Sequence, residues 1–147
     1  MTTLIWGLEE PLGRYLAAKF PEFGPTYLPH RAIGWSDRTG RLVAALSVDY
    51  EHPWDGRVTL HAERANFWTP RQLREVFAVA FGIWGMTRLT LWISKRNKRA
   101  RRLAEGLGFE LEGVKRRAFD GINDECLYGM TVDRCKWMTS NAEAAAA

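Results

Sequence analysis

The stretch Leu89–Gly113, LTLWISKRNKRARRLAEGLGFELEG, decides the fold of this chain. Its first five residues alternate in character and predict a strand. Asn97 stands where a helix N-cap is expected, because its side-chain oxygen can accept a backbone N–H of the first turn. Apolar residues then recur at helical spacing as far as Leu107, and Gly108 can adopt the left-handed conformation that ends a helix. The stretch therefore predicts a strand, a short capped helix and a second strand that begins at Phe109.

The rest of the chain predicts two more helices and several strands. A leucine at every fourth position indicates an amphipathic helix over about Leu8–Phe20, and an apolar stripe over Leu73–Trp84 indicates a second helix. Thr69 as N-cap, Pro70 at the first helical position and Gln72 in a capping box mark the start of that helix. Two strands around the turn 37–40, a strand at Arg57–Glu63 and a hairpin at 120–124 complete the predicted order. This order is typical of a mixed α/β sheet with helices packed against it.

The segment 21–30, PEFGPTYLPH, contains three prolines and cannot form a regular helix. We expect it to form an ordered loop. Its aromatic side chains either pack against the core or contact a substrate, and the candidates for such contacts are Phe23, Tyr27 and His30.

Composition indicates one soluble globular domain. The chain has 147 residues, of which 46% are hydrophobic and 26% charged, so it is long enough to bury its own core. We expect a single domain over residues 1–138 and a frayed tail over 139–147. No apolar run approaches the length that spans a bilayer, and the N-terminus lacks the pattern of a secretory signal. The two cysteines suggest reduced thiols in a cytoplasmic protein, with neither a disulfide framework nor a metal site.

Basic residues are concentrated in one region of a chain whose net charge is +4. Clustered positive charge attracts polyanions, so this region is suited to nucleic acid or to the phosphates of a nucleotide-containing cofactor. A solvated helix face is the alternative interpretation. The cluster comprises Lys95, Arg96, Lys98, Arg99, Arg101, Arg102, Lys115, Arg116 and Arg117.

The segment Asn97–Gly113 resembles the second half of the GNAT (GCN5-related) N-acyltransferase domain. In that family an Asn opens a helix that ends in Leu-Gly-Phe and leads into a strand closing on Glu-Gly. The later segments 127–130, LYGM, and 135–137, CKW, resemble the tail of ribosomal-protein-acetyltransferase-like members, including small ones encoded by bacteriophages. The resemblance implies a central mixed sheet flanked by helices, acetyl-CoA as cofactor and an amine as acceptor.

The resemblance also implies where the cofactor lies. Two parallel strands, Val58–Arg64 and Leu89–Ile93, would splay apart around the pantetheine arm, which would bond the backbone N–H groups of 60–64. The pyrophosphate would rest at the start of the next helix, where N–H groups and the helix dipole attract anions. Family members usually have Gln/Arg-x-x-Gly-x-Gly/Ala there, but this chain has RANFWT, with Phe67 and Thr69 at the positions of small residues. The predicted cofactor contacts are Ala62, Arg64, Trp68, Thr69, Arg71, Asn97 and Arg101.

The candidate catalytic residues are Glu63, His61 and Tyr128. Many family members carry a tyrosine acid on the last helix, where this chain has Ala104. Tyr128 on the last strand is a substitute for that acid or a buried aromatic residue of the sheet. Strand alternation puts His61 and Glu63 on the same face, so either could serve as general base. We expect burial to raise the pKa of Glu63 so that the carboxylate can accept the proton of an ammonium group.

The leading hypothesis is an N-acetyltransferase that moves an acetyl group from acetyl-CoA to a primary amine by direct attack in a ternary complex. The alternative is a catalytically inactive protein of the same fold that binds nucleic acid or a protein through the basic cluster 95–117. A bacteriophage effector that acetylates a protein lysine is a third interpretation. The acceptor amine stays open at this point between a protein lysine or N-terminus, a small molecule and a modified nucleobase. The acyl group and the choice between monomer and homodimer also stay open.

Overall fold

A computed structural model describes residues 1–138 of the chain, and the predicted tail 139–147 lies outside the described residues. The strands are β1 (Thr3–Ile5), β2 (Arg31–Ser36), β3 (Leu42–His52), β4 (Asp55–Ala62), β5 (Arg88–Ser94), β6 (Glu110–Lys115) and β7 (Glu125–Thr131). The α-helices are α1 (Glu9–Lys19), α2 (Pro70–Phe77) and α3 (Lys98–Leu107). A π-helix, Ala78–Ile83, follows α2, and short 3₁₀ helices occur at Pro21–Phe23 and Val132–Arg134.

The seven strands form one mixed sheet in the order β1-β2-β3-β4-β5-β7-β6. Neighbouring strands β1 and β2, β2 and β3, β5 and β7, and β7 and β6 are antiparallel. Strands β4 and β5 are parallel, and their ladder joins Asp55–Arg57 to 88–90. The mixed α/β class that the sequence predicts is therefore confirmed. Strand β1 was not predicted, because three residues that pair with β2 through the backbone leave no periodic signal in the sequence.

The described residues divide into two compact units, and the single domain 1–138 stays a prediction. The first unit contains residues 1–50 and 58–72, and the second contains 51–57 and 73–138. In the first unit Leu12 and Leu16 of α1 are buried against Ala32 and Ala45 of the sheet. Helix α1 spans 9–19, which confirms the predicted helix, and its buried leucines recur at the spacing that places them on one face.

Gly13 allows the loop 21–30 to approach α1 closely. A Cβ atom at Gly13 would lie 2.6 Å from the carbonyl oxygen of Tyr27 and 2.8 Å from Cδ of Pro29. The aromatic rings of the loop also stack: the centroids of Phe23 and Tyr27 are 4.5 Å apart. The Tyr27 hydroxyl donates to Asp49 Oδ2 at 2.6 Å. The segment 21–30 therefore forms an ordered loop, and its aromatic residues Phe23 and Tyr27 pack within the first unit.

In the second unit the predicted caps of α3 are confirmed. The backbone N–H of Ala100 donates to Asn97 Oδ1 at 3.1 Å, and Gly108 has a φ of 108°. The second helix begins at Pro70, as predicted, but changes to a π-helix at Ala78. The apolar stripe in the sequence does not reveal that change. A π-helix has about one more residue per turn than an α-helix, and over so short a stretch the two bury a similar pattern of residues.

Gly129 lets a charged network lie flat on one face of the second unit's sheet. The Arg88 guanidinium bonds both oxygens of Glu112, and a Cβ at Gly129 would lie 2.5 Å from Arg88 Nη2 and from both of those oxygens. Arg88 Nε also donates to Thr90 Oγ1 at 3.1 Å, and Thr90 in turn donates to Asp55 at 2.7 Å. These polar side chains satisfy one another, so this face of β4, β5 and β6 is held together by ionic contacts.

Candidate active site

The candidate bases predicted from the sequence lie at the end of β4, in the first unit. His61 is in the strand and Glu63 follows it, with a distance of 4.0 Å between His61 Nε2 and Glu63 Oε2. Two residues of α1 complete the group: the Tyr15 hydroxyl donates to Glu63 Oε1 at 2.7 Å, and Lys19 Nζ lies 3.1 Å from the same oxygen. We call Tyr15, Lys19, His61 and Glu63 the Glu63 cluster.

The protonation states of this cluster follow from its contacts. The hydrogen bond from Tyr15 and the ammonium of Lys19 hold the pKa of Glu63 below its ordinary value, although partial burial opposes them. The expectation of a raised pKa for Glu63 is therefore wrong, because these contacts outweigh the effect of burial. Burial, followed by the bond to Glu63, raises the pKa of Tyr15, so its hydroxyl stays protonated and donates. Glu63 is an ionised carboxylate near neutral pH.

His61 lies between aromatic side chains. The centroid of its ring is 6.1 Å from that of Tyr15 and 6.3 Å from that of Phe20, both in edge-to-face geometry. Burial lowers the pKa of His61, and Lys19 lowers it further, while Glu63 raises it. The Nε2 atom is buried and has no hydrogen-bond partner within residues 1–138. A neutral imidazole is consistent with that environment.

The backbone at the end of β4 offers fewer donors than the resemblance implies. The N–H of Glu63 donates to the carbonyl oxygen of Val43 in β3 at 2.9 Å, so it is already engaged. Successive N–H groups of an extended chain point to opposite edges. The N–H groups of Leu60 and Ala62 therefore point away from β3, and the prediction for the N–H of Glu63 is wrong.

The loop that should receive the pyrophosphate is anchored by aromatic side chains. The Trp68 ring meets Trp35 edge to face with the centroids 5.4 Å apart, and Phe67 packs on Trp35 at 5.6 Å. Trp35 itself is fully buried in β2. Trp68 thus has a packing role in the first unit. The Thr69 hydroxyl contacts the side-chain oxygen of Gln72, the residue predicted to complete the capping box.

Arg64 and Arg71 flank this loop, and both are exposed. A cavity of about 390 Å³ opens beside Arg64 within the first unit. Its lining includes Asp37 and Arg41 at the base of the β2–β3 hairpin, together with Glu63 and Asn66. A cavity of this size can hold a small molecule. The sequence did not indicate it, because its walls come from segments that are distant in the chain.

The other candidate acid, Tyr128, lies in the second unit. Its side chain is fully buried in β7, and its hydroxyl accepts from Arg101 Nε at 3.1 Å and donates to Glu105 Oε2 at 2.8 Å. Burial raises the pKa of Tyr128, while the bond from Arg101 opposes that rise. We call Arg101, Glu105 and Tyr128 the Tyr128 cluster. Ala104, where a family tyrosine would stand, is buried in α3.

The structure thus groups the predicted residues by unit. The first unit holds one set and the second holds another, in which Arg101 bonds Tyr128 directly and Asn97 caps the helix that carries Arg101. Tyr15 and Lys19 were missed, although a tyrosine and a lysine four positions apart on one helix do share a face. The set of predicted residues in the first unit is His61, Ala62, Glu63, Arg64, Trp68, Thr69 and Arg71.

Within residues 1–138 no three His, Cys, Asp or Glu side chains are placed to hold a metal ion.

Comparison with known proteins identifies the fold. A variant of the spermidine N-acetyltransferase SpeG from Vibrio cholerae matches with a TM-score of 0.72 and 15% identity, over 94% of this chain and 96% of that one. A dodecameric structure of the Vibrio cholerae spermidine N-acetyltransferase matches with a TM-score of 0.67 and 13% identity, over 88% and 93%. A protein described as a phosphinothricin N-acetyltransferase matches at 0.64 and 19%, over 89% and 98%.

The chain therefore has the GNAT acyltransferase fold, with a seven-stranded mixed sheet flanked by helices. No protein-family pattern and no curated protein sequence matches it. At 13–19% identity the structural matches establish the fold alone. None of the helices in residues 1–138 has the length and apolar character that crossing a membrane requires.

Proposed function

We propose that this protein is an N-acetyltransferase that transfers the acetyl group of acetyl-CoA to a primary amine. The observation that carries the proposal is the Glu63 cluster, an ionised carboxylate at the end of β4 beside a cavity in a chain of the GNAT fold. The named structural neighbours are N-acetyltransferases, which supports the same chemistry. The ribosomal-protein-like and bacteriophage-type subtype, and the cytoplasmic location, remain proposals from the sequence.

The reaction needs positioning more than covalent help. The neutral amine attacks the carbonyl carbon of the thioester, a C–N bond forms and the C–S bond breaks. Coenzyme A leaves as a thiolate that takes up a proton, and the ammonium proton passes to a base. The N–H groups of Leu60 and Ala62 are the proposed donors to the pantetheine amides and the thioester oxygen.

Glu63 is the proposed base. Because its pKa is held below the ordinary value, it remains a carboxylate that attracts the ammonium form of the acceptor. Its exposure allows the proton to pass on to water. His61 is the second candidate, because burial keeps the imidazole neutral and thus able to accept a proton. Tyr128 is a proposed acid only by resemblance, since Arg101 and Glu105 already engage its hydroxyl.

The proposed cofactor contacts in the first unit are Ala62, Arg64, Trp68, Thr69 and Arg71. Arg64 and Arg71 supply positive charge where the small residues of the family loop are missing. Trp68 is anchored on Trp35, which gives the loop a fixed shape. Asn97 and Arg101 in the second unit remain proposed contacts from the resemblance. Asn97 already serves as a helix cap, so a cofactor contact would be an additional role.

Calorimetry with acetyl-CoA tests the proposal directly. We expect saturable binding and a rise in melting temperature, followed by release of coenzyme A thiol when an amine panel that includes spermidine is added. No heat and no thermal shift at millimolar acetyl-CoA would remove the transferase proposal. Glu63→Gln should lower kcat by about 100-fold or more, whereas Glu22→Gln, an exposed carboxylate of the same unit, should leave kcat unchanged.

The pH dependence separates the two candidate bases. If Glu63 is the base, the wild-type protein and His61→Gln should show the same pH profile between pH 7 and about 5, because the amine is common to both and the Glu63 carboxylate titrates below its ordinary value. If His61 is the base, activity should fall in the region below about 6.5, where a histidine of lowered pKa takes up its proton. A fall that persists in His61→Gln would exclude His61 as its source.

A second candidate function is binding of nucleic acid through the basic cluster. Lys98, Arg99 and Arg102 are exposed on α3, and Arg116 and Arg117 are exposed in the β6–β7 loop. Phosphate contacts make affinity fall steeply with salt. Retention on DNA that declines steeply between about 50 and 200 mM salt would favour this function, and absence of retention at the lower concentration would remove it.

A further inference from the structure

The cavity beside Glu63 has charged walls of both signs. It has a volume of about 390 Å³ and lies within the first unit. Its charged lining residues are Asp37, Arg41, Glu63 and Arg64. The two carboxylates and two guanidiniums give a formal sum of zero for the side chains, and Met1, which carries the N-terminal amine, also lines the cavity. A polycationic ligand would require an excess of negative charge, so the lining favours a ligand that itself carries both signs.

Both carboxylates already have partners in the protein. Asp37 Oδ1 accepts from the Thr39 N–H at 2.9 Å, the Thr39 hydroxyl at 2.7 Å and the Arg41 N–H at 3.1 Å, so it holds the hairpin turn. Glu63 Oε1 receives Tyr15 and Lys19. A ligand therefore meets carboxylates whose charge is partly compensated.

The guanidiniums are differently placed. The positive charge of Arg41 acts on Tyr15, where it opposes the rise in the pKa of the hydroxyl. Arg64 directly follows Glu63 in the chain, is exposed, and forms no salt bridge among residues 1–138. A planar guanidinium matches the two oxygens of a carboxylate. The two guanidiniums line the same cavity as Glu63, so they would hold an anionic group there and leave a neighbouring amine close to the carboxylate.

We propose that the acceptor is an amino acid bound in this cavity, with its carboxylate on Arg41 and Arg64 and its amino group toward Glu63. This assignment gives Arg64 to the acceptor in place of the cofactor contact that the resemblance implies, and leaves Arg71 to the cofactor. This inference rests on the proposed N-acetyltransferase function and specifies its substrate class. The product is an N-acetyl amino acid, formed by the same exchange of a C–S bond for a C–N bond, with the ammonium proton leaving by way of Glu63.

Matched pairs of amines test the role of the carboxylate. L-lysine, L-leucine and L-phenylalanine are compared with cadaverine, isoamylamine and phenethylamine, which lack only the carboxyl group. Thiol release from acetyl-CoA gives kcat/KM for each. We expect at least one amino acid to exceed its decarboxylated partner by 10-fold or more. Decarboxylated amines that react as well as or better than every amino acid would overturn the inference while leaving the transferase function intact.

Arg41→Met tests the proposed contact. We expect the KM for the preferred amino acid to rise about 10-fold, with the KM for acetyl-CoA and for the decarboxylated amine unchanged. Arg38→Met is the matched control, because Arg38 is exposed on the same hairpin and does not line the cavity. A rise in the KM for acetyl-CoA instead would assign Arg41 to a cofactor phosphate and overturn the inference.

A binding measurement keeps the two proposals separable. Ligand-observed NMR with the same amino acids requires no catalysis. Binding to the wild-type protein that is weakened by Arg41→Met and kept in Arg38→Met supports the cavity assignment even if acetyl-CoA neither binds nor reacts. Absence of amino-acid binding in the wild-type protein, alongside transfer to other amines, would overturn the cavity assignment alone.

Discussion

The Glu63 cluster and the Tyr128 cluster contain the same chemical parts in different surroundings. In each, a tyrosine hydroxyl donates to a glutamate, at 2.7 Å from Tyr15 to Glu63 and at 2.8 Å from Tyr128 to Glu105. In each, a cation lies beside the pair: Lys19 approaches Glu63 at 3.1 Å, and Arg101 donates to the Tyr128 hydroxyl at 3.1 Å. The chemistry of the parts therefore does not decide which cluster is functional.

The surroundings decide it. Tyr128 is fully buried and its hydroxyl both accepts and donates, so the cluster ties α3 to β7. Glu63 lines a cavity, and the nearby His61 has a buried nitrogen without a partner in residues 1–138. A titratable group that is both perturbed and beside a cavity is a candidate for function, whereas a satisfied buried pair is a candidate for stability. The predictions below test that distinction.

The largest expected effect comes from moving α1, which carries half of the Glu63 cluster. Gly13→Ala would place a Cβ 2.6 Å from the backbone oxygen of Tyr27, and backbone cannot rotate away as a side chain can. We expect a loss of about 2 kcal/mol in the free energy of unfolding, since overpacking outweighs the gain in helix propensity. Urea denaturation measures it.

Gly106→Ala is the matched control, because Gly106 is also helical but has no atom within 4 Å of an added Cβ. We expect this variant to be unchanged or stabilised by about 0.5 kcal/mol. Equal destabilisation by the two substitutions would show that close packing of the loop 21–30 on α1 is not the cause.

Removing one hydroxyl from each cluster compares them directly. Tyr128→Phe leaves Arg101 and Glu105 without their shared partner next to a buried ring, and we expect a loss of about 1.5 kcal/mol. Tyr15→Phe should cost about 0.5 kcal/mol, since water can replace the hydroxyl at the half-exposed Glu63. Activity should respond in the opposite order, because the Tyr15 hydroxyl bonds the proposed base and fixes the position of its carboxylate.

Thermal unfolding and thiol-release kinetics on the same two variants supply the measurements. A Tyr128→Phe protein that keeps its stability but loses kcat would reverse the assignment of the two clusters and make Tyr128 the catalytic acid. Equal effects of both variants on both quantities would remove the distinction altogether.

Asn97→Ala tests the helix that carries the Tyr128 cluster. Asn97 accepts the N–H of Ala100, so we expect a loss of about 1 kcal/mol as the cap is removed. Affinity for acetyl-CoA, measured by calorimetry, distinguishes capping from a cofactor contact. Unchanged affinity would assign Asn97 to capping alone, and a 10-fold loss would support the contact. Asn97→Ser, which retains a capping oxygen, is the control for stability.

Local signals account for what the sequence predicted correctly. The Asn97 cap, the left-handed Gly108 and the start of α2 at Pro70 each depend on a few adjacent residues. The Tyr15–Glu63 bond joins residues 48 positions apart, and no local pattern indicates such a contact. The pKa of Glu63 was predicted in the wrong direction for the same reason, since its main cause is a partner that only the folded chain supplies.

The smallest expected effect is the pH dependence of stability from His61. Burial lowers its pKa below 6.5, so between the two values the unfolded chain binds a proton that the folded chain does not. The free energy of unfolding should therefore decrease as pH falls from about 7 toward 5. Urea denaturation of the wild-type protein and of His61→Gln over that range isolates the contribution. Glu63 adds a slope of its own only near and below its ordinary pKa of 4.5, where the unfolded chain takes up a proton that the folded carboxylate does not. A slope that is the same in both proteins would show that the pKa of His61 is not lowered in the folded state, and the argument for His61 as a neutral base would then be lost.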